Sequence, residues 1–160
     1  MTKVLILSGA GISAESGIST FRDADGLWEN HKIEDVCTDG CLDTNGEATK
    51  SFYDARRADI QNKEPNYAHK VIVKLKQKYP AEISVLTQNV DDLFEKAGIH
   101  KDEIVHLHGF LRELRCRVCE DIFDVGYIKQ DDFAASCPTC NGELRPNIVF
   151  FGEPAPMYAT

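Results

Sequence analysis

The sequence predicts an α/β fold with a small inserted module, and three observations support this prediction. Short β-rich runs alternate with segments of helical pattern, which is typical of a parallel sheet covered by helices. A glycine-rich turn directly follows the first of these runs. Further along, two Cys-x2-Cys pairs stand 17 residues apart, which is a spacing typical of a four-cysteine metal module.

Length and composition favour one main domain. The chain has 160 residues, of which 42% are hydrophobic, so the ~130 residues outside the module suffice for one core. The formal net charge of −8 argues against direct nucleic-acid binding and favours attraction to cationic partners such as lysine-rich peptides. No apolar run approaches the length of a membrane span.

Four runs predict buried strands of one parallel sheet, at residues 3–8, 83–88, 103–107 and 147–151. In residues 65–79, apolar side chains recur at helical spacing between lysines, which indicates an amphipathic helix lying on the sheet. Residues 26–45 mix Gly, Asp, Asn and Thr with little periodicity and therefore predict a loop-rich segment.

The first predicted strand runs into the turn Gly9-Ala10-Gly11-Ile12-Ser13-Ala14, which fits the pattern G-x-G-x-x-A. Glycines at such a turn let the backbone approach a pyrophosphate at a helix N-terminus, as in Rossmann-like dinucleotide-binding domains. The acidic residue expected after a second strand has no clear place, because Gly17-Ile18-Ser19-Thr20-Phe21-Arg22 follows instead. A tight turn without a ligand is the alternative.

Polar side chains follow the second and third predicted strands. The second run leads into Thr87-Gln88-Asn89-Val90-Asp91, and the third ends in His106-Leu107-His108-Gly109. Open parallel sheets bind ligands at the carboxyl ends of their strands, and a histidine there suits general-base work near neutral pH. Alternation places both histidines on one face of an extended strand. In the structural alternative, Asp91 or Asp92 caps a helix and the histidines serve the fold.

Four cysteines predict one structural zinc ion, because two such pairs can close a tetrahedral thiolate cage. These are Cys116, Cys119, Cys137 and Cys140. Disulfides are the rival interpretation, but residues 4–7 are too short an apolar run for a secretory signal. We therefore expect a cytoplasmic location, where disulfides rarely persist. A catalytic zinc would normally keep only three protein ligands. Cys37 and Cys41 have no paired histidines nearby and are interpreted as ordinary thiols.

Several motifs occur in one order along the chain, from residue 3 to the C-terminus. They are Gly9-Ala10-Gly11-Ile12-Ser13, Gly17-Ile18, Phe21-Arg22, Thr87-Gln88-Asn89-Val90-Asp91, His108-Gly109, the four cysteines and Val149-Phe150-Phe151-Gly152-Glu153. Together they resemble the sirtuin (Sir2) family of NAD-dependent protein lysine deacylases. Agreement of several independent motifs in order is far more specific than any one of them.

The resemblance implies a reaction in which the acyl oxygen of a modified lysine attacks the ribose C1′ of NAD, nicotinamide leaves, and the acyl group departs as O-acyl-ADP-ribose. His108 takes the place of the base that activates a ribose hydroxyl, Asn89 orders the ribose or a water, and Asp91 holds the nicotinamide carboxamide. The other cofactor-binding positions implied are Gly9, Ala10, Gly11, Ile12, Ser13, Gly17, Ile18, Phe21, Arg22, Trp28, Gln88 and Val90. The segment that resembles the family's peptide-pairing segment is Val149, Phe150, Phe151, Gly152 and Glu153.

Part of the sequence resembles the bacterial and mitochondrial branch that removes acidic acyl groups. Ser19-Thr20 stands where many members have Pro-Asp, and Gly26-Leu27-Trp28 follows. That branch carries a Tyr-x-x-Arg pair, here Tyr53 and Arg56, which share a face if they lie on a helix. They would offer a hydroxyl and a guanidinium to one carboxylate. Arg57 could compete for this role, and a solvated basic helix is the structural alternative.

The resemblance also gives domain boundaries. A Rossmann-like NAD-binding domain takes 1–111 and 146–160, including a loop and helical segment for cofactor and acyl group at 26–64, and the zinc ribbon takes 112–145. Seven residues follow Glu153, whereas the family continues into strands with a Gly-Thr-Ser turn and an Asn-containing motif for adenosine. We expect a sheet that is incomplete at its C-terminal side, with an exposed edge. A naturally short protein, a fragment, and a chain completed by another chain or an oligomer are the alternatives that the sequence leaves open.

Three functions are compatible with the sequence. The first is an NAD-dependent lysine deacylase that acts on acyl-lysine proteins or peptides as a deacetylase, desuccinylase or demalonylase, with NAD and Zn²⁺ as cofactors. The second is a catalytically inactive sirtuin-like fragment that acts as a zinc-stabilised binding module. The third is an NAD glycohydrolase, which would have little use for the peptide-pairing segment or for Tyr53 and Arg56.

Overall fold

The computed structural model describes residues 3–20, 27–28 and 31–159, without the side chains of 27, 28 and 31. The helices are α1 (Gly11–Ala14), α2 (Ile33–Val36), α3 (Cys41–Gln61), α4 (Tyr67–Lys78), α5 (Leu93–Lys96) and α6 (Gln130–Phe133). The strands are β1 (Val4–Ser8), β2 (Leu27–Trp28), β3 (His31–Lys32), β4 (Ile83–Thr87), β5 (Ile104–His106), β6 (Gly109–Cys116), β7 (Ile122–Asp124) and β8 (Leu144–Ile148). Two 3₁₀ turns span Lys101–Glu103 and Pro156–Tyr158.

A parallel sheet in the order β1-β4-β5 forms the centre of the main domain, in a Rossmann-like α/β arrangement. Its register aligns Ser8 with Thr87 and Thr87 with His106. The carboxyl ends of all three strands therefore lie side by side, and the segments that follow them meet at one edge of the sheet. Three of the four predicted strands are confirmed.

The prediction that residues 147–151 form a strand of this sheet is wrong. The nearest strand, β8, pairs instead with β6 in an antiparallel sheet of order β7-β6-β8. The cysteine module accounts for this pairing, because it brings Leu144 beside Cys116 and so sets β8 against β6. β8 ends at Ile148, and the apolar residues beyond it are free to line a cavity rather than join a ladder.

The sheet has an exposed edge among the described residues, as the sequence predicts. β1 pairs there with β4 alone, and Val4, Leu5 and Leu7 are 45%, 64% and 56% exposed. The prediction that every strand is buried is therefore wrong for β1.

The amphipathic helix is confirmed as α4. Asn66 caps its first turn by accepting a hydrogen bond from the backbone N–H of Ala68, and the helix turns His69 and Val73 into the interior. The loop-rich prediction for 26–45 is wrong where α2 and the first turn of α3 form. Burial accounts for these short helical turns, because Val36 and Cys41 pack in the same core cluster. α3 is kinked at Asn45, whose backbone is not helical.

β6 follows the last strand of the parallel sheet in sequence and runs across the predicted boundary at residue 112 into the zinc module. The boundaries themselves remain predictions. β6 begins at Gly109, where φ is +88° and a Cβ atom would lie 1.9 Å from the carbonyl oxygen of Asn147. Only glycine fits this position, so β6 and β8 can approach closely just beyond His108. Among the described residues, no helix is long and apolar enough to cross a membrane.

Candidate functional site

A cavity of about 410 Å³ lies at the carboxyl ends of β4 and β5. It is bounded by the first glycine-rich turn, by α3 and by the segment after β8. Its lining residues are Ala10, Ser13, Ile18, Ser19, Cys37, Tyr53, Arg56, Gln88, Asn89, Val90, Asp91, His108, Ile148, Val149, Phe150, Phe151, Gly152, Glu153 and Ala155. Most of the site residues named from sequence are therefore brought together around one space.

Some sequence-named residues do not line this cavity. Gly9, Gly11 and Ile12 form the turn behind it and border a second depression with Ile6 and Leu7. Gly17 ends the following turn with φ of +80°, which favours glycine. The remaining positions, Phe21, Arg22 and the side chain of Trp28, lie outside the described residues.

Ser13 organises the polar floor of the cavity. Its hydroxyl donates to Oδ2 of Asp91 at 2.8 Å and accepts from Nδ2 of Asn89 at 2.9 Å. Burial raises the pKa of the Asp91 carboxyl. Asp91 also accepts a hydrogen bond from the backbone N–H of Leu93, so part of its role is to cap the turn that opens α5. One network thus fixes both Asn89 and Asp91, which line the cavity.

His108 presents one ring nitrogen to the cavity. Its Nδ1 lies 3.0 Å from the carbonyl oxygen of Gln88, so Nδ1 carries the proton and donates it. In the neutral imidazole Nε2 is then an acceptor, and the Tyr158 hydroxyl donates to it at 3.0 Å. The amide of Gln88 donates to the same hydroxyl at 2.9 Å. His108 is therefore oriented as a proton acceptor beside a hydroxyl, as a general base requires.

His106 has a different environment, because β5 ends at this residue and the chain then turns. Its Nδ1 lies 2.9 Å from the carbonyl oxygen of Asn89, and its Nε2 lies 2.8 Å from Oε1 of Glu95. Burial acts to lower the pKa of His106, but the hydrogen bond and charge of Glu95 outweigh it and raise the pKa. Both ring nitrogens have protein partners, and His106 does not line the cavity.

Tyr53 and Arg56 share the face of α3 that borders the other end of the cavity. Tyr53 is 4% exposed and stacks on Phe150 at 5.5 Å between ring centroids. Burial raises the pKa of Tyr53 well above its ordinary value, so the phenol stays neutral. Its hydroxyl donates to Sγ of Cys37 at 3.5 Å. The sequence does not identify Cys37 as a site residue, because no motif around it indicates that its side chain lines a cavity.

Arg57 does not compete with Arg56 for this position. Its Nε donates to the carbonyl oxygen of Leu111 at 2.8 Å, and its Nη1 pairs with Asp54 at 2.6 Å. Arg57 is fully buried and points away from the cavity toward β6. Its guanidinium therefore anchors α3 to the strand that enters the zinc module.

An ion pair holds the segment after β8. The Nη1 and Nη2 atoms of Arg145 donate to the two carboxylate oxygens of Glu153 at 2.7 and 3.0 Å, and Glu153 also accepts from the backbone N–H of Phe150. On one side, the N–H of Val149 donates to the carbonyl of His108. On the other, the N–H of Phe151 donates to the carbonyl of Cys37. The segment thus bridges both ends of the cavity.

The four predicted metal ligands form one cluster. Their sulfur atoms all lie within 4.8 Å of one another, with Cys116 and Cys140 at 3.5 Å and Cys119 and Cys137 at 3.7 Å. A tetrahedral Zn–S distance of about 2.3 Å requires sulfurs about 3.8 Å apart, whereas a disulfide requires about 2.05 Å. The cluster therefore fits a structural zinc ion.

The turns around the cysteines support this assignment. Backbone N–H groups of Val118 and Gly142 donate to the sulfurs of Cys116 and Cys140 at 3.3 and 3.4 Å. The residue after each pair, Glu120 or Asn141, adopts positive φ, so the two turns end in the same unusual conformation. Amide donors stabilise thiolates, which are the species that bind zinc.

Comparisons with known proteins agree with this geometry. Residues 9–160 match the Sir2 family. An "NAD-dependent protein deacylase" of Campylobacter jejuni is 53% identical over 161 residues, which cover 100% of this chain and 67% of that protein. The Escherichia coli (strain K12) protein of the same name is 44% identical over 94% of this chain and 54% of its own length.

Solved structures show the same fold. The "crystal structure of a Sir2 homolog–NAD complex" has a TM-score of 0.81 at 37% identity, over 97% of this chain and 60% of that one. "Sir2 bound to acetylated peptide" has a TM-score of 0.77 at 31% identity, over 98% of this chain and 62% of that one. The chain thus spans about half to two thirds of the length of these relatives. From its sequence, its fold and its cysteine cluster, the chain belongs to the Sir2 family.

Proposed function

We propose that this chain contains the catalytic core of an NAD-dependent protein lysine deacylase, located in the cytoplasm, that prefers acidic acyl groups such as succinyl and malonyl. The observation that supports this most directly is the lining of one cavity. His108, Asn89, Asp91, Tyr53 and Arg56 all line this cavity. A base and a carboxylate-binding pair thus face the same space.

When bound, NAD supplies the ribose carbon that accepts the acyl oxygen and the nicotinamide that leaves. The polar floor fits that half of the molecule, because Asp91 and Asn89 offer a carboxyl oxygen and an amide beside a space of about 410 Å³. Ser13 fixes both side chains, so they need no rearrangement to orient an incoming carboxamide or ribose hydroxyl.

His108 carries the proton-transfer step in this proposal. The carbonyl of Gln88 holds the proton on Nδ1, which leaves Nε2 unprotonated and able to accept a proton from a ribose hydroxyl. The Tyr158 hydroxyl occupies the corresponding place beside Nε2 and the Gln88 amide. The phenol oxygen of Tyr158 therefore indicates where a ribose hydroxyl could contact both His108 and Gln88.

The acyl-lysine peptide would lie along the segment 149–153, with its modified side chain directed into the cavity. The ion pair of Arg145 with Glu153 holds this segment in place. Tyr53 stays a neutral donor because burial raises its pKa, and Arg56 supplies positive charge. A neutral phenol and a guanidinium suit a terminal carboxylate.

Nicotinamide release tests the proposal. The purified chain is incubated with NAD in the presence and absence of a succinyl-lysine peptide, and peptide binding is measured in parallel. Release that depends on the peptide supports the deacylase. Release that is equal without peptide indicates an NAD glycohydrolase, and peptide binding without any release indicates a binding module.

A further inference from the structure

Cys37 lies in the wall of the cavity next to the two residues proposed to hold the acyl group. It is 4% exposed and belongs neither to the zinc cluster nor to the proton-transfer residues. The hydroxyl of Tyr53 donates to its sulfur at 3.5 Å. The Cys37 thiol therefore lines the cavity beside the proposed acyl-binding residues and has a specific hydrogen-bond partner, so it can do more than fill space in the core.

The hydrogen bond from Tyr53 to Cys37 is weak, and this weakness allows an acyl group to replace it. A buried phenol hydroxyl needs an acceptor, because leaving it unpaired is unfavourable. Sulfur is a weak acceptor, whereas a carboxylate oxygen forms a charge-assisted bond that is about twice as strong as a neutral one. The Tyr53 hydroxyl therefore gains when it exchanges Cys37 for a carboxylate. An acetyl group has no such oxygen at its end and offers no comparable exchange.

The state of the thiol favours the same exchange. Burial raises the pKa of Cys37 above its ordinary value. Cys37 is therefore a neutral thiol near neutral pH and places no negative charge beside an incoming carboxylate. A thiolate at this position would hold the Tyr53 hydroxyl firmly and repel an acidic acyl group.

We propose that Cys37 determines acyl specificity: as a weak, neutral acceptor it keeps the Tyr53 hydroxyl aimed into the cavity and releases it to an acyl group that ends in a carboxylate. This inference rests on the proposed deacylase function and deepens it. Both residues of this hydrogen bond are held in position. Tyr53 stacks on Phe150, and the backbone of Cys37 forms hydrogen bonds with Ile33 and Phe151.

Two substitutions at Cys37 change the acceptor in opposite directions. Cys37→Ser supplies a stronger oxygen acceptor of similar size and should lower the ratio of succinyl-lysine to acetyl-lysine peptide use about 3- to 10-fold. Cys37→Ala removes the acceptor, so a carboxylate satisfies an otherwise unpaired hydroxyl, and the ratio should rise by a similar factor. The ratio of kcat/KM for matched peptides is measured, together with the ratio of their dissociation constants.

Matched controls separate specificity from packing. Cys41→Ser changes a second buried thiol of the same core that does not line the cavity, and it should leave the ratio unchanged. In a Tyr53→Phe background, Cys37→Ser should no longer change the ratio, because the hydroxyl that it would hold is gone. Zinc content and thermal unfolding show whether each variant is folded.

The outcomes distinguish this inference from the function on which it rests. If the unmutated chain neither binds nor turns over a succinyl-lysine peptide, both are overturned. If the unmutated chain releases nicotinamide with that peptide, but Cys37→Ser and Cys37→Ala weaken the two peptides equally, or the effect of serine persists without the Tyr53 hydroxyl, the deacylase stands and Cys37 is a packing residue.

Discussion

The hydroxyl of Tyr158 donates to Nε2 of His108 at 3.0 Å and accepts a hydrogen bond from the amide of Gln88 at 2.9 Å. Tyr158 is 53% exposed and lies on the short 3₁₀ turn that follows residues 149–153. Its ring lies close to the imidazole, 5.7 Å between centroids. A nucleotide hydroxyl that approaches His108 must therefore displace the phenol.

Removing this hydroxyl should strengthen nucleotide binding. Tyr158→Phe deletes the two hydrogen bonds that ribose would have to replace, each worth about 1 kcal/mol. We expect ADP-ribose to bind about 3- to 10-fold more tightly to this variant, as measured by calorimetry. Tyr67→Phe alters an exposed tyrosine on α4 and is the control. Unchanged affinity in Tyr158→Phe would show that the phenol does not occupy the ribose position.

His108→Tyr should abolish deacylation while the zinc content stays unchanged. Loss of a positioned base costs on the order of 10²–10⁴ in rate. His108 lines the cavity, whereas none of the four clustered cysteines does, so the metal should be retained. His106→Ala should reduce the rate much less, because that ring does not line the cavity. An essential His106 with a dispensable His108 would mean that the base has been assigned to the wrong residue.

The pair of His106 and Glu95 should make stability depend on pH. The pKa of His106 is raised by Glu95 in the folded state, so protonation favours folding. The stabilisation is complete below the unfolded pKa of about 6.5 and is lost as pH rises through the folded pKa. Glu95→Gln should cost about 1 to 2 kcal/mol at pH 5.5 and progressively less at higher pH, as measured by urea unfolding.

An exposed pair provides the comparison. His100 and Asp102 lie 3.3 Å apart with side chains 68% and 76% exposed, and exposed pairs contribute little. Asp102→Asn should therefore show a much smaller dependence on pH. A cost for Glu95→Gln that grows with rising pH would contradict the assigned direction of the shift.

The zinc cluster should be needed for folding. Cys137→Ser removes one of four ligands, and the β6–β8 pairing beside it should loosen with the loss of metal. We expect one zinc per chain by elemental analysis, and loss of both metal and cooperative unfolding in the variant. Cys41→Ser, outside the cluster, should retain the metal. A metal-free chain that stays folded in a strong chelator would contradict the assignment.

Local patterns in the sequence predict much of this structure, because they act over short distances. The spacing of the cysteines predicts the cluster, and the apolar period predicts α4. The structure that residues 147–151 adopt is not predictable in this way, since an apolar run is compatible with either a buried strand or a cavity wall. Pairing of β6 with β8 decides between them. The contact between Cys37 and Tyr53 likewise depends on tertiary structure, because the packing of α2 on α3 places Cys37 in the cavity wall.

The roles of the two histidines show the same limit. Their sequence spacing suggests one shared face, but β5 ends at His106 and the turn gives each ring its own partners. Their hydrogen-bond partners come from different segments, Gln88 for His108 and Glu95 for His106, and these partners are the basis on which His108 rather than His106 is proposed as the base. Such partners depend on tertiary structure and leave no local pattern.

Acyl selectivity should depend on Arg56. In the proposed site, an acidic acyl group would place its carboxylate between the guanidinium and the Tyr53 hydroxyl, whereas an acetyl group has no carboxylate to offer them. Arg56→Met should therefore weaken use of a succinyl-lysine peptide about 10- to 100-fold, since hydrogen bonds to charged groups contribute about 1.5–3 kcal/mol, and that of an acetyl-lysine peptide much less. Tyr53→Phe should shift the selectivity in the same direction by a smaller factor.

The neighbouring arginine is the matched control for this prediction. Arg57→Met removes a guanidinium that bonds Leu111 and Asp54 outside the cavity, so it should lower the temperature of unfolding and leave the succinyl-to-acetyl ratio unchanged. Peptide binding is measured beside turnover, because binding reports the acyl pocket even where the rate is low. Equal losses for the two peptides in Arg56→Met would show that Arg56 serves the fold, since a residue that grips the distal carboxylate can act only on the peptide that carries one.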